Sequence, residues 1–158
     1  MPYTATAAAI PLAQYPAGTS SREPAPNVIV SVDDSGSMGA SGIATLKDAL
    51  KQTFASSNVP DGRIRLAWQS MNRCAGIPNI TAPCSSKNTM KPLAGAHRTN
   101  FLTWVDTLVH GNGTPAHIMI RNAGDYLKTE GIKSPWNSIP DTADSAPIAC
   151  RKAFHIFM

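Results

Sequence analysis

Asp33, Ser35 and Ser37 alternate at the end of the stretch NVIVSVDDSGSMG, which runs from Asn27 to Gly39. One carboxylate and two hydroxyls form a set of hard oxygen donors, suited to Mg²⁺ or Mn²⁺ rather than to a soft metal. The run before these residues must position them. Val28 to Val32 is mostly apolar and β-branched, the pattern of a central parallel strand covered on both faces. Alternate residues of an extended chain point to one side, so the strand's end and the turn after it bring Asp33, Ser35 and Ser37 together.

Two enzymatic readings of the same residues lack a second player. Asp34-Ser35-Gly36 resembles the nucleophile stretch of chymotrypsin-like proteases, but that triad needs a histidine and a buried aspartate on two β-barrels, and the helical segments here argue against such a fold. An aspartyl phosphatase would follow a strand with Asp33, yet its acid/base aspartate is expected where Ser35 stands. An exported hydrolase is therefore the alternative from another class, and the chain is expected not to be an enzyme. Asp141 and Asp144 are two spaced acids in a polar loop, more simply solvated than cation-binding. His155 lies in an apolar strand and reads as a satisfied core or edge histidine rather than a ligand.

The surrounding elements follow from periodicity. Residues 1–26, with five prolines, read as an extended lead-in, and residues 27–158 as the folded domain. A strand spans Asn27 to Val32. Ile43, Leu46, Leu50 and Phe54 fall at helical spacing, with Ser41 as cap and Asn58, Pro60 and Gly62 as the stop. Arg63 to Gln69 reads as a second strand, with Ile64 and Leu66 on one face and the two arginines on the other. Residues 70–99 read as irregular, a functional loop or a short edge hairpin. Phe101, Trp104, Val105 and Leu108 mark another helix. Thr114-Pro115 reads as the cap and first turn of a helix from Ala116 to Leu127. A polar loop from Gly131 to Ala149 leads to a last strand, Ala153 to Met158. Strands alternating with helices imply an α/β fold with a mainly parallel sheet.

Composition sets the outer limits. The 158 residues are one domain's worth of chain, only 15% of them are charged, and the net charge of +4 comes from 14 scattered basic residues. Without a basic stripe on one face nucleic acid is not the expected partner, and a solvated basic surface is the simpler account. No apolar stretch approaches the roughly 20 residues of a membrane span. The start lacks the basic and apolar regions of a secretory signal, although Ala7-Ala8-Ala9 has the small residues of a signal's end. Of three cysteines, Cys74 and Cys84 either close a local disulfide worth about 2 to 3 kcal/mol or stand as two free thiols. Cys150 stays free or pairs elsewhere.

The pattern Asp33-x-Ser35-x-Ser37 after a buried strand resembles the first loop of the metal-ion-dependent adhesion site of von Willebrand factor A domains. Leu66-Ala67-Trp68-Gln69, Met90-Lys91-Pro92-Leu93, His97 to Trp104, Gly113-Thr114-Pro115 and Cys150 to Met158 narrow the resemblance to the amino-terminal domain of the type IV pilus tip family PilY1/PilC. The resemblance implies a doubly wound, Rossmann-like sheet in the order 3-2-1-4-5-6, with the strands at residues 27–32 and 153–158 as its first and fourth. It implies Mg²⁺ or Mn²⁺ held by the hydroxyls of Ser35 and Ser37, by Asp33 through water, and by Thr114 from a second loop. It further implies protein partners, on the pilus tip or a host surface, and export through the periplasm to the cell surface. The Thr-Asp-Gly that would supply a third-loop aspartate is absent, so the chain is expected to be a truncated domain with weakened metal binding. An apolar edge at Phe154 and Ile156 is expected to stay uncovered and the isolated chain to be poorly stable. A metal-independent scaffold in pilus assembly is the alternative function.

Overall fold

The protein is described from a computed structural model covering residues 24–142, 147–148 and 150–158. Most of the expected lead-in, the Ala7 to Ala9 segment and Asp144 lie outside the described residues. Strand β1 (Asn27–Val32) is buried along its whole length. It pairs in parallel with β2 (Arg65–Ser70) on one side and with β4 (Ala153–Phe157) on the other. A short β3 (Lys91–Pro92) runs antiparallel to β2, giving the order β3-β2-β1-β4. The expected α/β class, with a mainly parallel sheet and the last strand beside the first, is what the described residues form.

The period-two alternation of β1 divides the core between two faces. Val28, Val30 and Val32 face helices α1 (Gly39–Thr53) and α2 (Gly95–Thr107), with Ile43, Leu46, Leu50, Phe101 and Trp104 in the same cluster. Trp68 of β2 anchors it, its ring centroid 5.4 Å from Phe101 and 6.0 Å from Trp104. Ile29 and Ala67 face the opposite way, onto Ala123 and Tyr126 of α3 (Ala116–Leu127) and onto Met90.

The same face carries a settled polar row. The Gln69 amide donates to Ser31 Oγ at 2.8 Å and to the Met119 carbonyl at 2.7 Å, and its oxygen accepts from Gly76 N–H at 3.1 Å. Ser31 Oγ is also hydrogen-bonded to His155 Nε2, 2.7 Å away. His155 is therefore a satisfied edge histidine, as its apolar strand suggests, and burial holds its pKa below the ordinary value.

Several boundaries differ from the sequence reading. Helix α1 begins at Gly39, directly after a 3-10 turn at Gly36–Met38, so Ser41 already lies inside it and does not cap it. Strand β2 begins at Arg65 rather than Arg63. Helix α2 begins at Gly95, within the stretch read as irregular, because Ala94 is extended and the chain turns directly onto Trp68. Thr114 does not cap α3: Pro115 occupies the cap position, and no side chain makes a capping bond.

The solvated account of the basic residues also fails for Arg65, Arg98 and Arg151, all buried. The face opposite Leu66 is roofed by the turn at 134–137, and Arg65 donates to the Pro135 and Asn137 carbonyls at 3.0 Å. Burial, then the neighbouring Arg151 charge, brings its pKa down to about 10. Arg98 ties α2 to the end of α1, donating to the carbonyls of Phe54, Val59 and Leu93 and to Asp61.

Residues 71–90 are irregular but ordered. Cys74 and Cys84 are joined in a disulfide. The buried Asn88 amide donates to Trp68 O at 2.8 Å and Gly76 O at 2.9 Å, and its oxygen accepts from Asn79 N–H at 3.0 Å. Asp141 pairs with Lys133 at 3.1 Å and Lys91 at 3.4 Å. Partial burial pushes this carboxyl up, but the two ammonium groups together hold it below the usual range. At the free edge among the described residues, Phe154 is 53% and Ile156 40% exposed, the kind of surface that sheets normally cover.

Two stability measurements test this packing. Arg98→Met removes the donor of three backbone carbonyls, two of them bonded at 2.7 and 3.1 Å, and should cost about 3 kcal/mol by urea unfolding. The second concerns His97, whose Nε2–H donates to the Leu66 carbonyl at 2.8 Å. Burial, joined by the Lys91 charge, pulls its pKa below the ordinary 6.5 despite that bond. The unfolded chain thus binds a proton at a higher pH than the folded one, so this contribution is complete above about pH 6.5 and is lost as pH falls below it. The melting temperature should drop between pH 7 and 5, and His97→Gln should make that drop shallower. An equal drop in the variant would show that His97 is not responsible.

Candidate metal centre

Where β1 ends, the chain must leave a sheet that is paired on both sides. From β1 it crosses through α1 to β2, and β4 returns to the other edge of β1. The carboxyl end of β1 is thus a topological switch point, the place where open α/β sheets form their crevices. Asp33 is half-buried there, its N–H bonded to the Met158 carbonyl at 2.7 Å. The Asp33 carboxylate accepts the N–H of Ser35 at 2.8 Å, which bends the chain into the turn. Ser35 is fully buried, with φ −69° and ψ 163°, and leads into the 3-10 turn without capping it. Its hydroxyl lies 3.0 Å from the hydroxyl of Ser37, which is exposed. Asp33, Ser35 and Ser37 thus share one turn.

That spacing bears directly on whether the residues fit a metal. Adjacent ligands of an octahedral Mg²⁺ bonded at 2.0–2.1 Å lie about 2.9 Å apart. Two hydroxyls 3.0 Å apart match one edge of such an octahedron, and Ser37 opens it to solvent. Among the described residues no group of three or more His, Cys, Asp or Glu side chains forms a metal site.

The second loop lies against this turn through its backbone. Gly36 N–H donates to the Asn112 carbonyl at 3.1 Å, and Gly111 N–H donates to the Asp34 carbonyl at 3.0 Å. Asn112 has φ +60°, a conformation that asparagine accepts more readily than most residues. These bonds bring the backbone just before Thr114 to the turn, and Thr114 itself is exposed.

Sequence reasoning gave Asp34 no part in this site and did not single out Asn72. Asp34 is fully buried. One of its oxygens accepts from Asn72 N–H at 2.8 Å and Asn72 Nδ2 at 3.1 Å, and the other from Arg73 N–H at 3.1 Å. Asn72 Nδ2 also lies 3.0 Å from the Gly111 carbonyl and 3.1 Å from the Gly113 carbonyl. A second carboxylate directly after Asp33 was a legible signal. Its partners were not, because they lie 38 residues away, just past β2.

No helix among the described residues is long and apolar enough to cross a membrane. No family model matches the chain, and no solved structure gives a significant match. Three curated proteins do match, each a type IV pilus biogenesis factor PilY1 of Pseudomonas aeruginosa. The one from strain PAK is 32% identical over 94 residues, covering 60% of this chain and 8% of the relative. The one from strain PAO1 is 33% identical over 98 residues, again 60% and 8%. The one from strain UCBPP-PA14 is 30% identical over 116 residues, 73% of this chain and 9% of the relative. The chain thus spans less than a tenth of the length of these relatives, and over 60–73% of its own length it is related in sequence to the type IV pilus biogenesis factor PilY1.

Proposed function

We propose that residues 27–158 form a von Willebrand factor A-type domain, and that its metal-ion-dependent adhesion site binds an acidic group of a protein partner. The observation that carries this reading is the pair of hydroxyls of Ser35 and Ser37, 3.0 Å apart at the carboxyl end of the central strand. Ser35 and Ser37 would bind Mg²⁺ or Mn²⁺ directly, Asp33 would hold a bound water, and Thr114 would reach the ion from the second loop. With one carboxylate in the set, an incoming carboxylate meets an ion that still carries positive charge. Arg73 is exposed beside the segment that binds the turn, and its positive charge suits an acidic partner. The activity is recognition, not turnover.

The relatives' names support a role connected with the type IV pilus. The place of action we propose is the pilus tip at the cell surface, reached by way of the periplasm, with pilus components or host surface molecules as partners.

Calorimetric titration of the chain with Mg²⁺ and with Mn²⁺, alongside Ser35→Ala, tests the site. We expect saturable binding by the unaltered chain and its loss in Ser35→Ala, with the melting temperature of the metal-free variant within a few degrees of the parent. Absence of binding with an intact fold would replace this reading with a metal-independent scaffold, in which the Ser35–Ser37 hydrogen bond merely closes the turn.

A further inference from the structure

Three segments meet at the carboxyl end of the sheet, the turn after β1, the chain beyond β2 and the loop at Gly111–Gly113, and one side-chain amide of the second bonds to the other two. Asn72 sits two residues beyond β2. Its Nδ2 is within 3.0 to 3.4 Å of four acceptors: Asp34 Oδ1, the Asp34 carbonyl, and the carbonyls of Gly111 and Gly113. The first two belong to the turn that carries Ser35 and Ser37, and the last two to the loop that carries Thr114. An amide with two hydrogens must share them among these acceptors, so it pulls the turn and the loop toward one point.

Asp34 completes the arrangement. Its buried carboxylate is taken up by N–H donors of Asn72 and Arg73, so it faces the chain beyond β2 while Asp33 serves the turn itself. The backbone then adds the bonds from Gly111 N–H to Asp34 O and from Gly36 N–H to Asn112 O. The carbonyl that Asn72 holds at Gly113 belongs to the peptide unit leading directly into Thr114.

We infer that Asn72 is a positioning residue for the proposed metal centre: its amide sets the distance between the Ser35–Ser37 hydroxyls and Thr114. This inference rests on the adhesion-site reading. It assigns the second aspartate of the Asp33-Asp34 pair to the clamp rather than to the ion. A group of this kind contacts neither metal nor partner, and removing such a support typically costs about 10- to 100-fold in metal affinity.

The test combines Mn²⁺ titration with amide hydrogen exchange on the full chain. In the metal-free protein, Asn72→Ala should speed exchange at Gly36 and Gly111 while leaving Ile29 and Val30 of β1 unchanged. The same substitution should raise the Kd for Mn²⁺ by about tenfold or more. In a Thr114→Ala background that rise should vanish, because no hydroxyl is left to misplace, and this non-additivity is what a merely structural role would not give. Asn72→Asp, which keeps the size and turns a donor into an acceptor, should lose as much affinity as Asn72→Ala and guards against a simple packing defect.

Wild-type Mn²⁺ binding with an unchanged Kd in Asn72→Ala would overturn the inference and leave the adhesion-site reading standing. An equal loss in the Thr114→Ala background would overturn it too, in favour of general loosening. If the unaltered chain binds no Mn²⁺ at all, both the reading and the inference fall, whatever the exchange data show about the clamp.

Discussion

The constraint on which the structure depends is the complete enclosure of β1. It is paired in parallel on both edges and covered by helices on both faces. Its backbone is paired with a strand on each edge, and each buried side chain is expected to be apolar or to find a partner inside. Ser31 obeys this rule by joining Gln69 and His155, whereas Asn27 obeys it only in part, its Nδ2 donating to the Pro135 carbonyl while its Oδ1 is buried without a hydrogen-bond partner among the described residues. Polar side chains can first reach water where the strand stops, which is why the oxygens gather at Asp33 to Ser37 and nowhere earlier. The turn is a consequence of how the strand is packed.

The parts of the fold that announce themselves in the sequence are those fixed by local periodicity. The limits of β1 agree with its apolar run, and Met119, Ala123 and Tyr126 turn inward along α3 as their spacing requires. Cap positions were less legible. Ser41 and Thr114 have the right residue type, yet the chain enters each helix by another route, through a 3-10 turn in one case and Pro115 in the other. A cap depends on the backbone angle at which a helix is entered, and that angle is set by what the preceding turn bonds to. The buried arginines escaped for a related reason. Arg65 and Arg98 are satisfied by backbone carbonyls of distant segments, and carbonyls leave no trace in a pattern of side chains.

The candidate site divides the same way. Asp33, Ser35 and Ser37 lie within five residues, so extended-chain geometry was enough to group them. The approach of the loop at Gly111–Gly113 depends on bonds spanning 38 to 41 residues through Asp34 and Asn72. Only the fold reveals that Asp33 and Asp34, adjacent and chemically identical, have opposite duties. Consecutive residues leaving a strand point to opposite sides. One carboxylate therefore bends the turn that carries the hydroxyls, while the other turns inward to hold the chain beyond β2.

This division bears on how a site of hydroxyls functions at all. A serine hydroxyl is a weak ligand, and two of them must be held at the right separation for an ion to gain by binding. The 3.0 Å separation serves a hydrogen bond and an octahedral edge equally well. On the proposed reading, metal entry gives up one hydrogen bond, a net loss of about 1 kcal/mol, without moving the oxygens. Little reorganisation then opposes binding from within the turn. The remaining demand falls on the second loop, whose exposed Thr114 carries its own hydroxyl and whose position is set by backbone carbonyls held at a distance. The precision of such a centre resides less in its ligands than in the network of Asp34, Asn72 and backbone groups behind them. The Asp34 carboxylate in that network is taken up by the N–H donors of Asn72 and Arg73, so it holds the loops together rather than serving the ion.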